Sequence, residues 1–122
     1  MIYEKELSDK IIACAFKVYN ELGNGFLEKV YENAMVYELR KNGIACSNQV
    51  PLKVYYDKIV VGEYFVDILV EDRIIIELKV CEHLTNIHDA QLINYLKSTK
   101  LKLGYLLNFG SKSKLEFKRL IY

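Results

Sequence analysis

Two apolar segments separated by only three residues constrain the fold of this chain more than any other feature of its sequence. Residues 64–70 and 74–80 are rich in β-branched and aromatic side chains, which is typical of β-strands, and the residues 71–73 between them are all charged. A three-residue connection predicts an antiparallel hairpin in which Val70 pairs with Ile74. The chain should therefore contain a sheet, and this hairpin sets the register of two of its strands.

The same register brings charged side chains together inside the hairpin. If Val70 faces Ile74, then Asp67 lies opposite Glu77, with the two Cβ atoms about 5 Å apart. Like charges in this position destabilise a sheet unless something offsets them. Glu77 and Lys79 share one face of an otherwise apolar strand, where charged residues are rare unless they are paired or functional. The arrangement predicts either a cation-binding site or a structural ion pair with Lys79.

Hydrophobic periodicity predicts helices on both sides of these strands. The predicted elements are helices over 7–22, 27–39 and 85–99, three or four strands within 44–80, and strands over 103–109 and 115–122. A strand, a crossover helix and a further strand imply a mixed sheet with helices on its faces, so the fold class is α/β or α+β. The length of 122 residues predicts a single domain over 1–122.

Polar residues on two of the helices are candidates for the same site. Glu28 follows Gly25 at the start of the second helix, where it either faces the sheet or only complements the helix dipole. His88, Gln91 and Tyr95 fall at i, i+3 and i+7 of the third helix, so they form either a functional line or a solvated face. The side predicted to be apolar in that helix consists of Ile87, Ala90, Ile93 and Leu96.

The charge is unevenly distributed, although the net charge is only +1. Residues 1–96 carry ten Lys or Arg against fifteen Asp or Glu, whereas residues 97–122 carry seven against one. The basic tail, which either binds phosphates or is a solvated face, consists of Lys97, Lys100, Lys102, Lys112, Lys114, Lys118 and Arg119.

The sequence also indicates where the protein works. No apolar run approaches the roughly 20 residues that span a bilayer, and the N-terminus does not read as a signal peptide, so no membrane contact and a cytoplasmic location are expected. Cys14, Cys46 and Cys81 are odd in number and lack a CxxC pair, so we expect reduced packing residues rather than disulfides or a zinc site.

Glu28, Asp67, the Glu77-Leu78-Lys79 triplet and Gln91-x-x-x-Tyr95 occur in an order that resembles the PD-(D/E)xK nuclease superfamily. Gly25, Glu28 and Tyr31 specifically resemble its small GxxExxY branch, although Val66 replaces the proline of the superfamily's name. The resemblance extends to Asn108-Phe109-Gly110 and implies a restriction-endonuclease-like core of αβββαβ order.

The resemblance also implies a function, which is metal-dependent phosphodiester hydrolysis of nucleic acid, with DNA as the expected substrate. Mg²⁺ or Mn²⁺ would bind Asp67, Glu77, the Leu78 carbonyl and Glu28, and Lys79 would orient water or stabilise the transition state. Gln91 and Tyr95 would contact the phosphate or Lys79, as His88 could. A homodimer is compatible with so small a nuclease. The alternatives are a nucleic-acid-binding module without catalysis and a protein-interaction domain, which ten tyrosines would suit.

Overall fold

Three helices and five strands follow one another in the order that the periodicity predicts. The structure, a computed structural model, describes residues 3–122. Its elements are α1 (Lys5–Leu22), α2 (Glu28–Lys41), β1 (Cys46–Tyr56), β2 (Ile59–Val70), β3 (Ile74–Lys79), α3 (Asn86–Thr99), β4 (Leu103–Asn108) and β5 (Glu116–Ile121). Across residues 3–122, no helix is long and apolar enough to cross a bilayer.

The strands form one mixed sheet in the order β1-β2-β3-β4-β5. All neighbouring pairs are antiparallel except β3 and β4, which run parallel and are connected by the crossover helix α3. Helices cover both faces of the sheet, as the clusters of buried side chains show. The fold class predicted from the sequence, a mixed sheet flanked by helices with a restriction-endonuclease-like arrangement, is confirmed.

The β1–β2 and β2–β3 hairpins both have short turns. Tyr56 pairs with Ile59 across a two-residue turn in which Asp57 and Lys58 are both left-handed, as a tight hairpin requires. Val70 pairs with Ile74 across the three-residue loop, and the Arg73 N–H donates to the Val70 carbonyl at 2.9 Å. The predicted register of the second hairpin is therefore the observed one.

Buried apolar side chains form two clusters on opposite faces of the sheet. The larger one lies under α1 and α2, where Ile11, Tyr31 and Met35 pack on Ile68 and Ile76 of the strands. A smaller one lies under α3. The cysteines are free thiols, and Cys14 is buried at the larger cluster while Cys46 and Cys81 are partly buried.

Helix α3 packs through a different side from the one predicted. Its buried residues are Leu92, Tyr95 and Leu96, whereas Ile87 is 79% exposed. Ala90 is also exposed, and Ile93 is only partly buried. The apolar residues of this helix satisfy helical spacing on two overlapping sides, and contact with the sheet selects one of them. Gly104 of β4 permits that contact, since a Cβ there would lie 2.7 Å from a Leu92 methyl group.

The alternation of side chains in β2 breaks at Asp67. Ile68 belongs to the cluster under α1 and α2, yet Val66, two residues away, belongs to the cluster under α3. Asn48 pairs with Ile68 and Val50 pairs with Val66, while the intervening Gln49 and Asp67 do not pair. Regular alternation would keep residues 66 and 68 on one face of the sheet, so the side chains of β2 switch faces at Asp67.

Candidate active site

The charged pair of β3 lies in the middle of the sheet. Glu77 is only 3% exposed, although its neighbours Ile76 and Leu78 pack into the cluster on the opposite face. Burial and the nearby charge of Asp67 raise the pKa of Glu77 from 4.5 to about 8. A carboxyl group with this pKa is largely protonated at neutral pH unless a cation is supplied.

Asp67 and Glu77 are neighbours on adjacent antiparallel strands, in the register that the sequence predicts. The regular pairing of β2 with β3 ends at Ile68 and Ile76, and beyond it the carboxylates replace backbone acceptors. The Asp67 N–H donates to Glu77 Oε2 at 2.8 Å, and the Leu78 N–H donates to Asp67 Oδ2 at 2.8 Å. Each acid is thus held by the strand that carries the other.

Glu28 reaches the same cluster from the start of α2. Glu28 is exposed, but partial loss of its hydration and the negative charge of Asp67 raise its pKa, whereas the Lys79 ammonium lowers it. The position of α2 depends on Tyr31, whose hydroxyl donates to the Gly23 carbonyl at 2.6 Å and accepts the Phe26 N–H at 3.2 Å.

The loop before α2 has further constraints. Gly25 has a φ of 114°, which side chains other than glycine rarely tolerate. The Tyr31 ring stacks on Phe109 with ring centroids 4.7 Å apart. Gly25 and Tyr31 therefore fix the conformation of the loop that leads into α2. Of the three residues Gly25, Glu28 and Tyr31, Glu28 is the one beside the acidic cluster.

A line of hydrogen bonds connects β3 to α3. Lys79 Nζ donates to Gln91 Oε1 at 3.0 Å, and Gln91 Nε2 donates to the Tyr95 hydroxyl at 3.3 Å. Burial, followed by the charge of Glu77, raises the pKa of Tyr95. The structure thus brings Lys79, Gln91 and Tyr95 to the acidic pair, with Gln91 exposed and Tyr95 buried.

His88 is not part of this line. Its Nδ1 accepts the Thr85 backbone N–H at 3.0 Å, which caps the start of α3. The Nδ1 atom of His88 is therefore engaged in a structural hydrogen bond at the start of α3.

The donor atoms of the acidic cluster suit a hard cation, although the side chains do not converge as a preformed site. Within residues 3–122, no three His, Cys, Asp or Glu side chains are grouped closely enough to hold a metal ion. Asp67 and Glu77 each direct one oxygen to a backbone N–H, which turns it away from a shared centre. Their second oxygens make no bond to the backbone, and oxygen donors fit Mg²⁺ or Mn²⁺.

The Leu78 carbonyl is oriented toward the same place. In a strand the N–H and C=O of one residue point to the same side, and the Leu78 N–H points to Asp67. The carbonyl is therefore directed toward β2, at the point where regular pairing between β2 and β3 has ended.

Two residues that the sequence does not mark as functional, Glu32 and Gln49, lie beside the acidic cluster. Glu32 is 3% exposed and accepts hydrogen bonds from Gln49 Nε2 at 2.6 Å and Asn48 Nδ2 at 3.0 Å. Gln49 Nε2 also lies 3.4 Å from Asp67 Oδ1. The spacing of Glu32 one turn after Glu28 was a usable signal, whereas nothing in the sequence around Gln49 marks it.

Basic residues of the tail lie at both ends of strands β3 and β4. The helix α3 runs from the end of β3 to the beginning of β4, so the basic residues in 97–102 lie at the opposite end of these strands from the acidic pair. Lys112 and Lys114 lie in the loop after β4, at the same end as the C-terminus of β3. Only part of the basic tail is therefore placed to contact a substrate at Lys79.

Comparisons with known proteins agree with this architecture. The crystal structure of SSO0001 superposes with a TM-score of 0.57 at 17% sequence identity, covering 76% of this chain and 48% of that chain, so the likeness concerns the fold alone. This chain spans about half the length of that protein. A search of curated proteins found no match. The family model of the PD-(D/E)XK nuclease superfamily matches residues 5–120, and the chain belongs to this superfamily.

Proposed function

We propose that this chain is a divalent-cation-dependent nuclease that hydrolyses phosphodiester bonds of nucleic acid, with DNA as its substrate. The observation that carries the proposal is the crowding of Glu28, Asp67 and Glu77 near Lys79. Burial raises the pKa of Asp67 and Glu77, partial loss of hydration raises that of Glu28, and the charge of Asp67 further raises the pKa of both glutamates. Such crowding costs stability and is characteristic of functional sites. Membership of the nuclease superfamily supports the same chemistry.

The proposed cation ligands are all oxygen atoms. Asp67 and Glu77 would hold Mg²⁺ or Mn²⁺ through the oxygens that are not bonded to the backbone, the Leu78 carbonyl would add a third donor, and Glu28 would act through water. A bound divalent cation supplies the Lewis acidity for phosphodiester hydrolysis. It would also neutralise the repulsion between carboxylates that the fold imposes.

Other side chains bind and orient the reacting groups. Gln91 holds the Lys79 ammonium through a single hydrogen bond, so Lys79 can still donate to a phosphate oxygen or to the attacking water. In this role Lys79 offsets the negative charge that develops on the phosphate. The Tyr95 hydroxyl accepts its hydrogen bond from Gln91, so its own proton is free to be donated to a phosphate oxygen.

We also propose that the chain is a member of the small GxxExxY branch. The separate structural tasks of Gly25, Glu28 and Tyr31 support this assignment, because the first and last position the helix that carries the middle one. The single domain over 1–122, the cytoplasmic location and a homodimer remain proposals of the same kind.

One observation supports a second function, as a protein-interaction module. The tip of the β1–β2 hairpin exposes Tyr55, Tyr56, Ile59 and Val61, each with more than half of its surface in solvent. Contiguous exposed apolar side chains are characteristic of association surfaces. A nucleic-acid-binding module without catalysis is the remaining alternative for the site itself.

A titration of the protein with Mn²⁺ by calorimetry, followed by incubation with labelled single- and double-stranded DNA, tests these functions. We expect Mn²⁺ binding and cation-dependent cleavage, both lost in Glu77→Gln because an anionic oxygen disappears. The matched control is Glu63→Gln, an exposed glutamate on β2 opposite Lys53.

Each result selects one function. Cleavage that requires the cation and Glu77 supports the nuclease. DNA binding without cleavage contradicts it and selects the binding module. A protein that neither binds nor cleaves DNA leaves the interaction module. Equal loss in Glu63→Gln would show that the effect is not specific to the site.

A further inference from the structure

Glu32 is a buried acid whose carboxylate is surrounded by side-chain donors. Its carboxylate accepts from Lys29 Nζ at 2.7 Å, from Asn48 Nδ2 at 3.0 Å and from Gln49 Nε2 at 2.6 Å. Two of the three donors come from β1, so Glu32 attaches α2 to the strand that lies beside Asp67. The shortest of these bonds is to Gln49.

Gln49 adopts a backbone conformation that its residue type disfavours. Its φ is 50°, in the left-handed region, although the residue lies within strand β1 rather than in a tight turn. The residue lies opposite Asp67 at the point where β1–β2 pairing is interrupted. A strained residue outside a turn persists only where the surrounding contacts hold it, and such residues cluster at functional sites.

The side chain of Gln49 connects Glu32 to Asp67. Its amide nitrogen carries two protons, of which one points to Glu32 Oε1 at 2.6 Å and the other to Asp67 Oδ1 at 3.4 Å. The other oxygen of Asp67 is bonded to the Leu78 N–H. Asp67 is thus held from both sides, by β3 through one oxygen and by Gln49 through the other.

We propose that Gln49, anchored by Glu32, is a positioning residue that sets the orientation of the Asp67 carboxylate for cation binding. This inference rests on the proposed function, because it assigns Gln49 to the cation site. Groups that orient a ligand through a hydrogen bond typically change metal affinity 10- to 100-fold when removed.

Gln49→Gly separates this role from a merely structural one. Glycine adopts a φ of 50° without strain, so the substitution relieves the backbone while it deletes the amide. Asp72→Gly is the matched control, because Asp72 has a φ of 55° in the exposed loop after β2, away from the acidic cluster. The measurements are the thermal midpoint of the metal-free protein and the Kd of Mn²⁺ by calorimetry.

We expect both variants to retain the thermal midpoint of the natural sequence. The Kd for Mn²⁺ should rise about 10-fold or more in Gln49→Gly and stay unchanged in Asp72→Gly. An unchanged Kd in Gln49→Gly, with Mn²⁺ binding intact in the natural sequence, overturns this inference alone. A natural sequence that binds no Mn²⁺ overturns the proposed function together with it.

A loss of stability in Gln49→Gly has its own meaning. If the thermal midpoint falls and the Kd of the folded protein is unchanged, Gln49 only attaches β1 to α2 and the positioning role is wrong. Glu32→Gln provides the second measurement, because it keeps the shape of the anchor while it removes the charge. We expect its effect on Kd to disappear when it is combined with Gln49→Gly, since both act through one contact.

Discussion

The two faces of the sheet bury different kinds of groups. The face under α1 and α2 covers a continuous cluster of apolar side chains, and the acids buried on that side, Glu32 and Glu38, belong to α2. The face under α3 has a smaller apolar cluster that includes Tyr95, together with a buried acid of the sheet itself, Glu77. Lys79 and Gln91 continue this polar group to the surface. The larger cluster supplies most of the hydrophobic stabilisation, and this stabilisation offsets the free-energy cost of burying Glu77 on the other face.

We expect the largest loss of stability from substitutions at two adjacent residues of β3 whose side chains lie on opposite faces of the sheet. Ile76 packs under α1 and α2, Ile75 packs under α3, and both are fully buried. Ile76→Ala should lower the free energy of unfolding by ~2–5 kcal/mol, and Ile75→Ala by an amount near the lower limit, because the smaller cluster can relax into the cavity. Urea unfolding measures both, and a larger loss in Ile75→Ala would reverse the comparison.

The next largest effect concerns cleavage rather than stability. Lys79→Met keeps the apolar stem of the side chain and removes its ammonium, so the fold and Mn²⁺ binding should remain. Cleavage should fall ~10²-fold or more, the size of effect expected when one transition-state electrostatic contact is lost. The control is Lys53→Met on the exposed hairpin. If folded Lys79→Met cleaves DNA at the natural rate, its catalytic assignment is wrong.

The pH dependence of stability should expose the cost of burying Glu77. Its folded pKa of about 8 lies above the ordinary 4.5, so between these values the unfolded chain releases a proton that the folded protein retains. The free energy of unfolding in EDTA therefore falls as the pH rises through this window. Glu77→Gln lacks this titration, so it should match the natural sequence near pH 4.5 and exceed its stability by ~1 kcal/mol or more above pH 8.

Thermal unfolding in EDTA at several pH values checks this prediction. If the difference in stability between Glu77→Gln and the natural sequence is constant across pH 4.5–9, burial does not raise the pKa of the Glu77 carboxyl group. In that case the face under α3 would carry no electrostatic cost.

The smallest effect should come from His88, which lies near the polar face without joining it. His88→Ala removes the acceptor for the Thr85 N–H, so the free energy of unfolding should fall by about 1 kcal/mol or less. Mn²⁺ affinity and cleavage rate should not change. A decrease in cleavage without a decrease in stability would place His88 in the site after all.

The parts of the structure that were predictable depend on local rules. The three-residue loop dictates that Val70 pairs with Ile74, and this register brings Asp67 opposite Glu77. Glycine positions and apolar spacing likewise mark both ends of α1 to within two residues. These features follow from the chain's own geometry, without information about distant segments.

The parts that were not predictable depend on tertiary contacts. Periodicity alone does not decide which of two overlapping sides α3 turns to the sheet, so Ile87 was assigned to the wrong environment. The left-handed Gln49 lies where β1 contacts Glu32 of α2, and the face change lies beside it at Asp67; a strand pattern contains no sign of either. The roles of Glu32 and Gln49 in the site follow only from their three-dimensional contacts.

The parallel pairing of β3 with β4 has a consequence for the order of folding. β2 and β3 meet by closing a loop of three residues, whereas β3 and β4 must wait for the whole crossover helix, and closing a longer loop costs more chain entropy. We therefore expect the two carboxylates to come together early, as part of a local meander. Lys79 gains Gln91 only when α3 docks, so the positive side of the site is assembled last.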